Sequence, residues 1–257
     1  MSGLGDVVRA IGARPGIRIA NVIVAERVDS TNTLARRLVD EVGGGGGAVP
    51  EVIIVALEQT AGRGRQGRDW VSRRGLGVYV TLIMAVGEAG LQTLPLLVGI
   101  GLARALRRLG CAVRLKWPND LQVDGRKLGG ILIESISRAD STVAIVGFGV
   151  NHGHQRGELP TAAATSLRQL LAPLPPLPAV IAELVDGVLA ETARGGDLEY
   201  TLGAYRELSV HRPGDPLRCR VAHEDLQGVF LGFDQRGFLR LAVDGGERRV
   251  ASGEIVE

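Results

Sequence analysis

Hydrophobic and polar positions alternate along the chain with two different periods. Ile19–Glu26 reads as a strand, and Asp29-Ser30-Thr31-Asn32 then supplies helix-capping side chains. Leu34 and Leu38 lie four apart on the helix that this cap predicts. Glu51–Leu57 (EVIIVAL) is apolar on both faces, as a covered strand is. Leu76–Met84, rich in β-branched and aromatic residues, predicts another strand. Leu91–Leu109 carries apolar residues at helical spacing, with Pro95 in the expected first turns, where proline is tolerated. Val113–Leu115 predicts a short strand. Leu128–Glu134 and Thr142–Val150 predict a pair of longer ones, with Asp124-Gly125 as a hairpin turn signal. Further helices are expected over Ser166–Leu171, Leu177–Arg194 and Leu198–Leu208. The run Gly43–Gly47 predicts a flexible surface loop.

Beyond Leu208 the texture changes. Turns at Gly214-Asp215, Asp234–Gly237 and Asp244–Gly246 separate short alternating segments, which predicts a small barrel of about five strands. A boundary near Ser209 divides residues 1–208 from 209–257.

With 257 residues, 45% of them hydrophobic, the chain can bury a sizeable core. Lys and Arg total 30 against 28 Asp and Glu, so any anion must be gripped by local clustering rather than by overall charge. Cys111 and Cys219 have neither metal-ligand nor disulfide-framework spacing and read as small buried residues of a cytoplasmic protein. The first residues lack the pattern of a secretory leader, and no apolar run reaches membrane-spanning length.

The segment Gly62-Arg63-Gly64-Arg65-Gln66-Gly67-Arg68 carries most of the chemistry. It matches G-x-G-x-x-G after a strand, but Arg68-Asp69-Trp70-Val71-Ser72 is poor material for the helix that a dinucleotide site requires. Arginines alternating with glycines suit an anion gripped from several sides; an RNA-contacting surface loop has the same composition. Lys116-Trp117-Pro118-Asn119-Asp120 joins a cation, a rigid turn and two polar side chains, and Lys127-Leu128-Gly129-Gly130 sets a second cation before an apolar strand. Asn151 ends the strand before it. No P-loop and no serine-centred elbow is present, and His152 and His154 alone make no metal site.

Taken together, Ser30-Thr31-Asn32, the stretch Gln59–Trp70 (QTAGRGRQGRDW), KWPND at 116–120, KLGG at 127–130, GFGVN at 147–151 and Thr165-Ser166-Leu167 resemble the biotin–protein ligase family. The resemblance implies an α+β fold: a class II synthetase-like catalytic domain with a central mixed sheet and flanking helices, followed by a small SH3-like C-terminal barrel. It implies biotin and ATP as substrates and Mg2+ as the triphosphate's counter-ion. Biotinyl-5′-AMP and pyrophosphate form first, and biotin then passes to a lysine of a biotin carboxyl carrier protein. By the family pattern Ser30, Thr31, Asn32, Gln59, Arg63, Gly64, Arg65 and Lys127 contact biotin. Arg65, Arg68, Trp70, Lys116, Asn119, Asp120, Lys127 and Asn151 contact ATP or the adenylate, and Lys127, Arg63 and Arg65 act in catalysis with no resident metal. Trp70 either walls the adenylate or packs the loop. Phe148 and His152 depart from the aliphatic residues usual near Asn151. Family members that also repress transcription carry an N-terminal helix-turn-helix. About 28 residues precede Ser30 here and include a predicted strand, so a form without DNA binding is expected. The alternatives are a lipoate–protein ligase of related fold and a non-catalytic RNA-binding protein.

Overall fold

The computed structural model describes residues 3–18, 21–44, 49–138, 142–195, 197–222 and 224–256. Seven strands form the main sheet: β1 (Asn21–Ala25), β2 (Val52–Ala56), β3 (Gly77–Val86), β4 (Arg114–Lys116), β5 (Asp120–Val123), β6 (Arg126–Ser137) and β7 (Thr142–Asn151). Their order is β1-β2-β3-β7-β6-β5-β4, with β1 and β2 parallel and the other neighbours antiparallel, so the sheet is mixed. Every residue of β2 is buried, because helices cover both faces of that strand.

One face carries α1 (Leu4–Gly12), α3 (Glu88–Arg108), α5 (Leu177–Thr192) and α6 (Leu198–Leu208); α2 (Thr31–Gly44) packs on the other with its own apolar cluster, including Ala35, Val39, Ile54 and Ile145, and the one-turn α4 (Leu167–Leu170) falls between β7 and α5 in the chain. α3 and α5 cross closely because both are glycine at the contact. A Cβ on Gly101 would stand 2.6 Å from the Gly187 carbonyl oxygen, and one on Gly187 2.8 Å from that of Gly101. Glu183 of α5 ties α3 and the segment after α1 together, accepting from Arg108 at 2.6 Å and pairing with Arg14 at 2.6 Å.

Several boundaries differ from the sequence reading. α1 was not expected, although Leu4, Val7, Val8 and Ile11 fall at i, i+3, i+4 and i+7 along it; Val7 and Ile11 are its buried positions. Of the Gly43–Gly47 run, Gly43 and Gly44 complete α2 rather than a loop, held by the helical ladder behind them, and 45–47 lie outside the described residues, as do residues 19 and 20 of the first expected strand. α3 starts three residues earlier than read, so Pro95 sits inside it; proline lacks the N–H that would reach the Leu91 carbonyl. The edge strand β4 is offset by one residue, and β6 extends to Ser137 because β7 pairs along its whole length.

The remaining chain forms β8 (Pro216–Val221), β9 (Glu224–Phe233), β10 (Leu239–Val243), β11 (Gly246–Val250) and β12 (Glu254–Val256), an antiparallel sheet in the order β11-β10-β9-β8-β12. The short strands and turns read from the sequence are thus present. Edge-on contacts among Tyr205, Phe233, Phe230 and His211 pack this sheet beneath α6. Trp117 Nε1 donates to the Gly237 carbonyl at 3.3 Å, fastening the KWPND turn to it. Among the described residues no helix is long and apolar enough to cross a membrane.

Candidate active site

A cleft of about 590 Å³ opens over the main sheet, roofed on one side by β8 and β12 of the second. Its size suits a ligand somewhat larger than one small metabolite. One end is built from the start of α2. Ser30, Thr31 and Asn32 are all at least nine-tenths buried there and line the cleft. The Thr31 amide donates to Gln59 Oε1 at 2.8 Å, and Gln59 Nε2 donates to Ser72 Oγ at 2.8 Å. Since a backbone amide can only donate, this fixes the orientation of the Gln59 carboxamide. Asn32 Nδ2 donates to Glu134 Oε2 at 2.9 Å and to the Leu132 carbonyl at 3.3 Å. Asn32 comes this close to the sheet because β7 has Gly147 beneath it, where a Cβ would stand 2.1 Å from Asn32 Oδ1.

The Gly/Arg segment forms a small hairpin, not the opening of a helix. The Gly64 amide donates to the Arg68 carbonyl at 2.7 Å and the Trp70 amide to that of Gly62 at 2.9 Å. Gln66 (φ 57°) and Gly67 (φ 71°) make the tip left-handed, which disposes of the dinucleotide reading. Gly62 is required by close approach: a Cβ would meet the Trp70 carbonyl oxygen at 2.3 Å. The three arginines fan out from this hairpin. Arg63 pairs with Glu134 at 3.4 Å, Arg65 donates to Asn119 Oδ1 at 3.3 Å and Ser252 Oγ at 2.9 Å, and Arg68 pairs with Glu254 at 2.6 Å. Burial, and then the neighbouring Arg68 charge, push the Arg65 guanidinium below its ordinary pKa.

KWPND is a tight hairpin in which Lys116 and Asp120 are cross-strand partners and the Trp117–Pro118 peptide is cis. Asn119 is clamped to β6, donating to the Ile131 carbonyl at 2.8 Å. Lys127 Nζ lies 2.6 Å from Asp120 Oδ1 and 5.7 Å from the Trp70 ring centroid. Asn151 Nδ2 donates to the Thr165 carbonyl at 2.9 Å. The Trp70 indole lines the cleft and lies on β7 against Gly149, where a Cβ would stand 2.6 Å from its Nε1.

All fourteen residues singled out from the sequence therefore reach one cleft, including those at its far walls, Lys116, Asn151 and Gly64. Six cations line it (Arg63, Arg65, Arg68, Lys116, Lys127, Arg220) against three carboxylates (Asp69, Asp120, Glu254), so it favours a polyanion. Sequence reasoning missed Arg220 and Glu254 from the second sheet, the supports Glu134 and Ser252, and buried His154. Glu134 had a signal, as a charge interrupting the apolar run Ile131–Ile136. The second-sheet residues had none, because only tertiary packing brings them to the loop.

Comparison with known proteins now bears on the site. Residues 24–151 match the biotin/lipoate A/B protein ligase family. The chain is 32% identical over 253 residues to the bifunctional ligase/repressor BirA of Salmonella typhimurium, an alignment covering 91% of this chain and 73% of that protein. The chain belongs to the biotin/lipoate A/B protein ligase family. Another relative, the biotin–[acetyl-CoA-carboxylase] ligase of Mycobacterium tuberculosis, is 28% identical over 96% of this chain and 91% of its own. Among solved structures, the biotin protein ligase of Aquifex aeolicus in complex with biotin and ATP superposes with a TM-score of 0.74, covering 92% of this chain and 98% of that one at 23% identity, which establishes a common fold. The matched family segment takes in the α2 cap, the Gly/Arg hairpin, KWPND, KLGG and Asn151, and so most of the cleft's cationic wall.

Proposed function

We propose that the chain is an ATP-dependent biotin–protein ligase that makes biotinyl-5′-AMP and transfers biotin to a lysine of a carboxylase biotin carrier protein. The observation that carries this reading is the single cleft in which a neutral polar end, built by Ser30–Asn32 and Gln59, adjoins a wall of convergent cations. Biotin has the matching halves, an uncharged ureido group with donors and an acceptor, and a carboxylate that must approach a triphosphate.

The chemistry follows from that juxtaposition. A carboxylate oxygen attacks the α-phosphorus as the bond to pyrophosphate breaks. Two anions must meet, so cations on both are needed to offset repulsion and stabilise the charge that develops. Lys127, between the Asp120 carboxylate and the Trp70 ring, would exchange its ion pair for the biotin carboxylate and α-phosphate. Arg63, Arg65 and Arg68 would close the hairpin over the adenylate, while Lys116, Asn119 and Asn151 border the nucleotide. In the second step the carrier's lysine amine attacks the acyl carbon, AMP leaves with the bonding electron pair, and the amine's proton departs to solvent.

Mg2+ suits this donor set only as an ion delivered with the nucleotide. Among the described residues no group of three or more His, Cys, Asp or Glu side chains could hold a metal. One carboxylate and one amide, Asp120 and Asn119, would complete the shell of a triphosphate-bound ion, which supplies charge neutralisation there. The division near Ser209 is proposed as a domain boundary, with the second sheet contributing Ser252 and Glu254 to the hairpin's resting position.

The test is pyrophosphate release from ATP with biotin or lipoate in turn. Release with biotin and not with lipoate is expected; the opposite pattern would refute the biotin assignment.

A further inference from the structure

Thr81 is fully buried at the middle of β3, the one polar residue in the run Val78–Met84 apart from Tyr79. It lies behind the cleft wall, not on it. Its hydroxyl is nonetheless 2.8 Å from Thr31 Oγ1 and 2.7 Å from Asn32 Oδ1.

The direction of each proton in this cluster can be worked out. Asn32 Nδ2 faces two groups that can only accept, the Glu134 carboxylate and the Leu132 carbonyl, so Asn32 Oδ1 is an acceptor. The Thr81 hydroxyl must then donate to Asn32. With its only proton committed there, Thr81 Oγ1 can stand 2.8 Å from Thr31 Oγ1 only by accepting from it. Thr31 Oγ1 also lies 3.1 Å from Gln59 Oε1, again an acceptor, so the Thr31 proton points into protein in either case. The outcome is a chain running from Thr31 through Thr81 to Asn32, with its polarity anchored by the Glu134 anion. Hydrogen bonds in such a chain strengthen one another in a buried setting.

We infer that Thr81 is a positioning residue for the neutral end of the cleft: it ties Thr31 to Asn32 and, with Gln59 Oε1, keeps the Thr31 proton turned into protein, so that this position takes a donor of the ligand. The inference rests on the biotin-ligase reading, in which that donor is a ureido N–H. Thr81 itself touches no ligand. Without its hydroxyl, Asn32 Oδ1 loses its donor and the Thr31 hydroxyl keeps only the longer contact to Gln59 Oε1, so both side chains at this end of the cleft are held less firmly.

The test uses the full chain with Thr81→Val, which keeps the side-chain volume, Thr81→Ser, which keeps the hydroxyl, and Thr81→Cys, whose thiol is a weak donor. Biotin binding is measured by calorimetry, and steady-state pyrophosphate release gives KM and kcat for biotin and for ATP. In Thr81→Val the biotin Kd and KM should rise about tenfold, the scale of one lost hydrogen bond, with kcat and the ATP KM within twofold of the unaltered chain. Thr81→Ser should restore biotin binding and Thr81→Cys should fall between. A merely structural role would instead lower kcat and both KM-linked affinities together and would not order the three variants by donor strength. Should Thr81→Val fail to fold, Thr81→Cys against Thr81→Ser decides the matter, and equal biotin Kd values overturn the inference. An unaltered chain that binds no biotin would sink the functional reading and this inference with it. Binding that Thr81→Val leaves unchanged sinks the inference alone.

Discussion

Gly149→Ala places one methyl group where the structure has no room for it. The added Cβ would lie 2.6 Å from Trp70 Nε1 and 2.7 Å from Cε2, against about 3.4 Å for ordinary contact, so the indole must give way by about 0.8 Å. The backbone of β7 cannot yield instead, since Gly149 is paired with Tyr79 on one side and Gly130 on the other. Overpacking of this kind costs about 1–3 kcal/mol of stability. The larger effect should fall on activity. Trp70 closes the Gly/Arg hairpin through the hydrogen bond its backbone N–H donates to the Gly62 carbonyl and holds Lys127 at its ring face, so a shift of the indole carries both away from the reacting groups. Displacements near 1 Å lower rates by about a hundredfold. The assay is biotin-dependent pyrophosphate release alongside the thermal unfolding midpoint. Gly157→Ala serves as the control, because nothing lies within 4 Å of a Cβ there. A Gly149→Ala variant with unaltered kcat/KM would refute the claim that the indole's seat on β7 sets the position of the loop.

Other consequences can be checked separately. Lys127→Ala should reduce adenylate formation by at least the value of a charge-assisted contact, roughly 1.5–3 kcal/mol, and near-normal single-turnover formation of biotinyl-5′-AMP would count against its role. Arg65→Gly should let biotinyl-5′-AMP escape, seen as free intermediate on rapid filtration; retention equal to the unaltered chain would contradict the closing-hairpin account. Burial pushes the Cys111 thiol up to about 11 from an ordinary value near 9. The folded state therefore keeps the proton longer than the unfolded one, and this contribution to stability is intact below about pH 9 and lost as pH rises toward 11. Cys111→Ala should flatten that part of the stability profile, and an unchanged alkaline slope would show the loss to come from elsewhere.

Much of this site is legible in the sequence because its parts are local. The Gly/Arg hairpin and KWPND each owe their shape to residues within a few positions of one another, and the start of α2 is announced by Asp29-Ser30-Thr31-Asn32 although distant residues hold it in place. Glycines at 62 and 67, the proline at 118 and the turn at Asp124-Gly125 encode those shapes directly. What the sequence conceals is the layer behind. Thr81 reads as a strand threonine until its hydroxyl is found between Thr31 and Asn32, residues some fifty positions away in the chain. Ser252 and Glu254 are ordinary residues of a small antiparallel sheet until packing sets them against Arg65 and Arg68. Helix α1 was legible as well, since Leu4, Val7, Val8 and Ile11 keep helical spacing; the reading passed over it, and the helix packs against α5.

The most direct test of the account is transfer itself. The chain is incubated with ATP, Mg2+, biotin and an unbiotinylated carboxylase carrier domain, and the carrier's intact mass is followed together with free biotinyl-5′-AMP. The account predicts a mass increase of one biotinyl group on the carrier, dependent on ATP and absent when its acceptor lysine is replaced by arginine. An unmodified carrier with no biotinyl-5′-AMP formed, under conditions where the chain is folded, would contradict it.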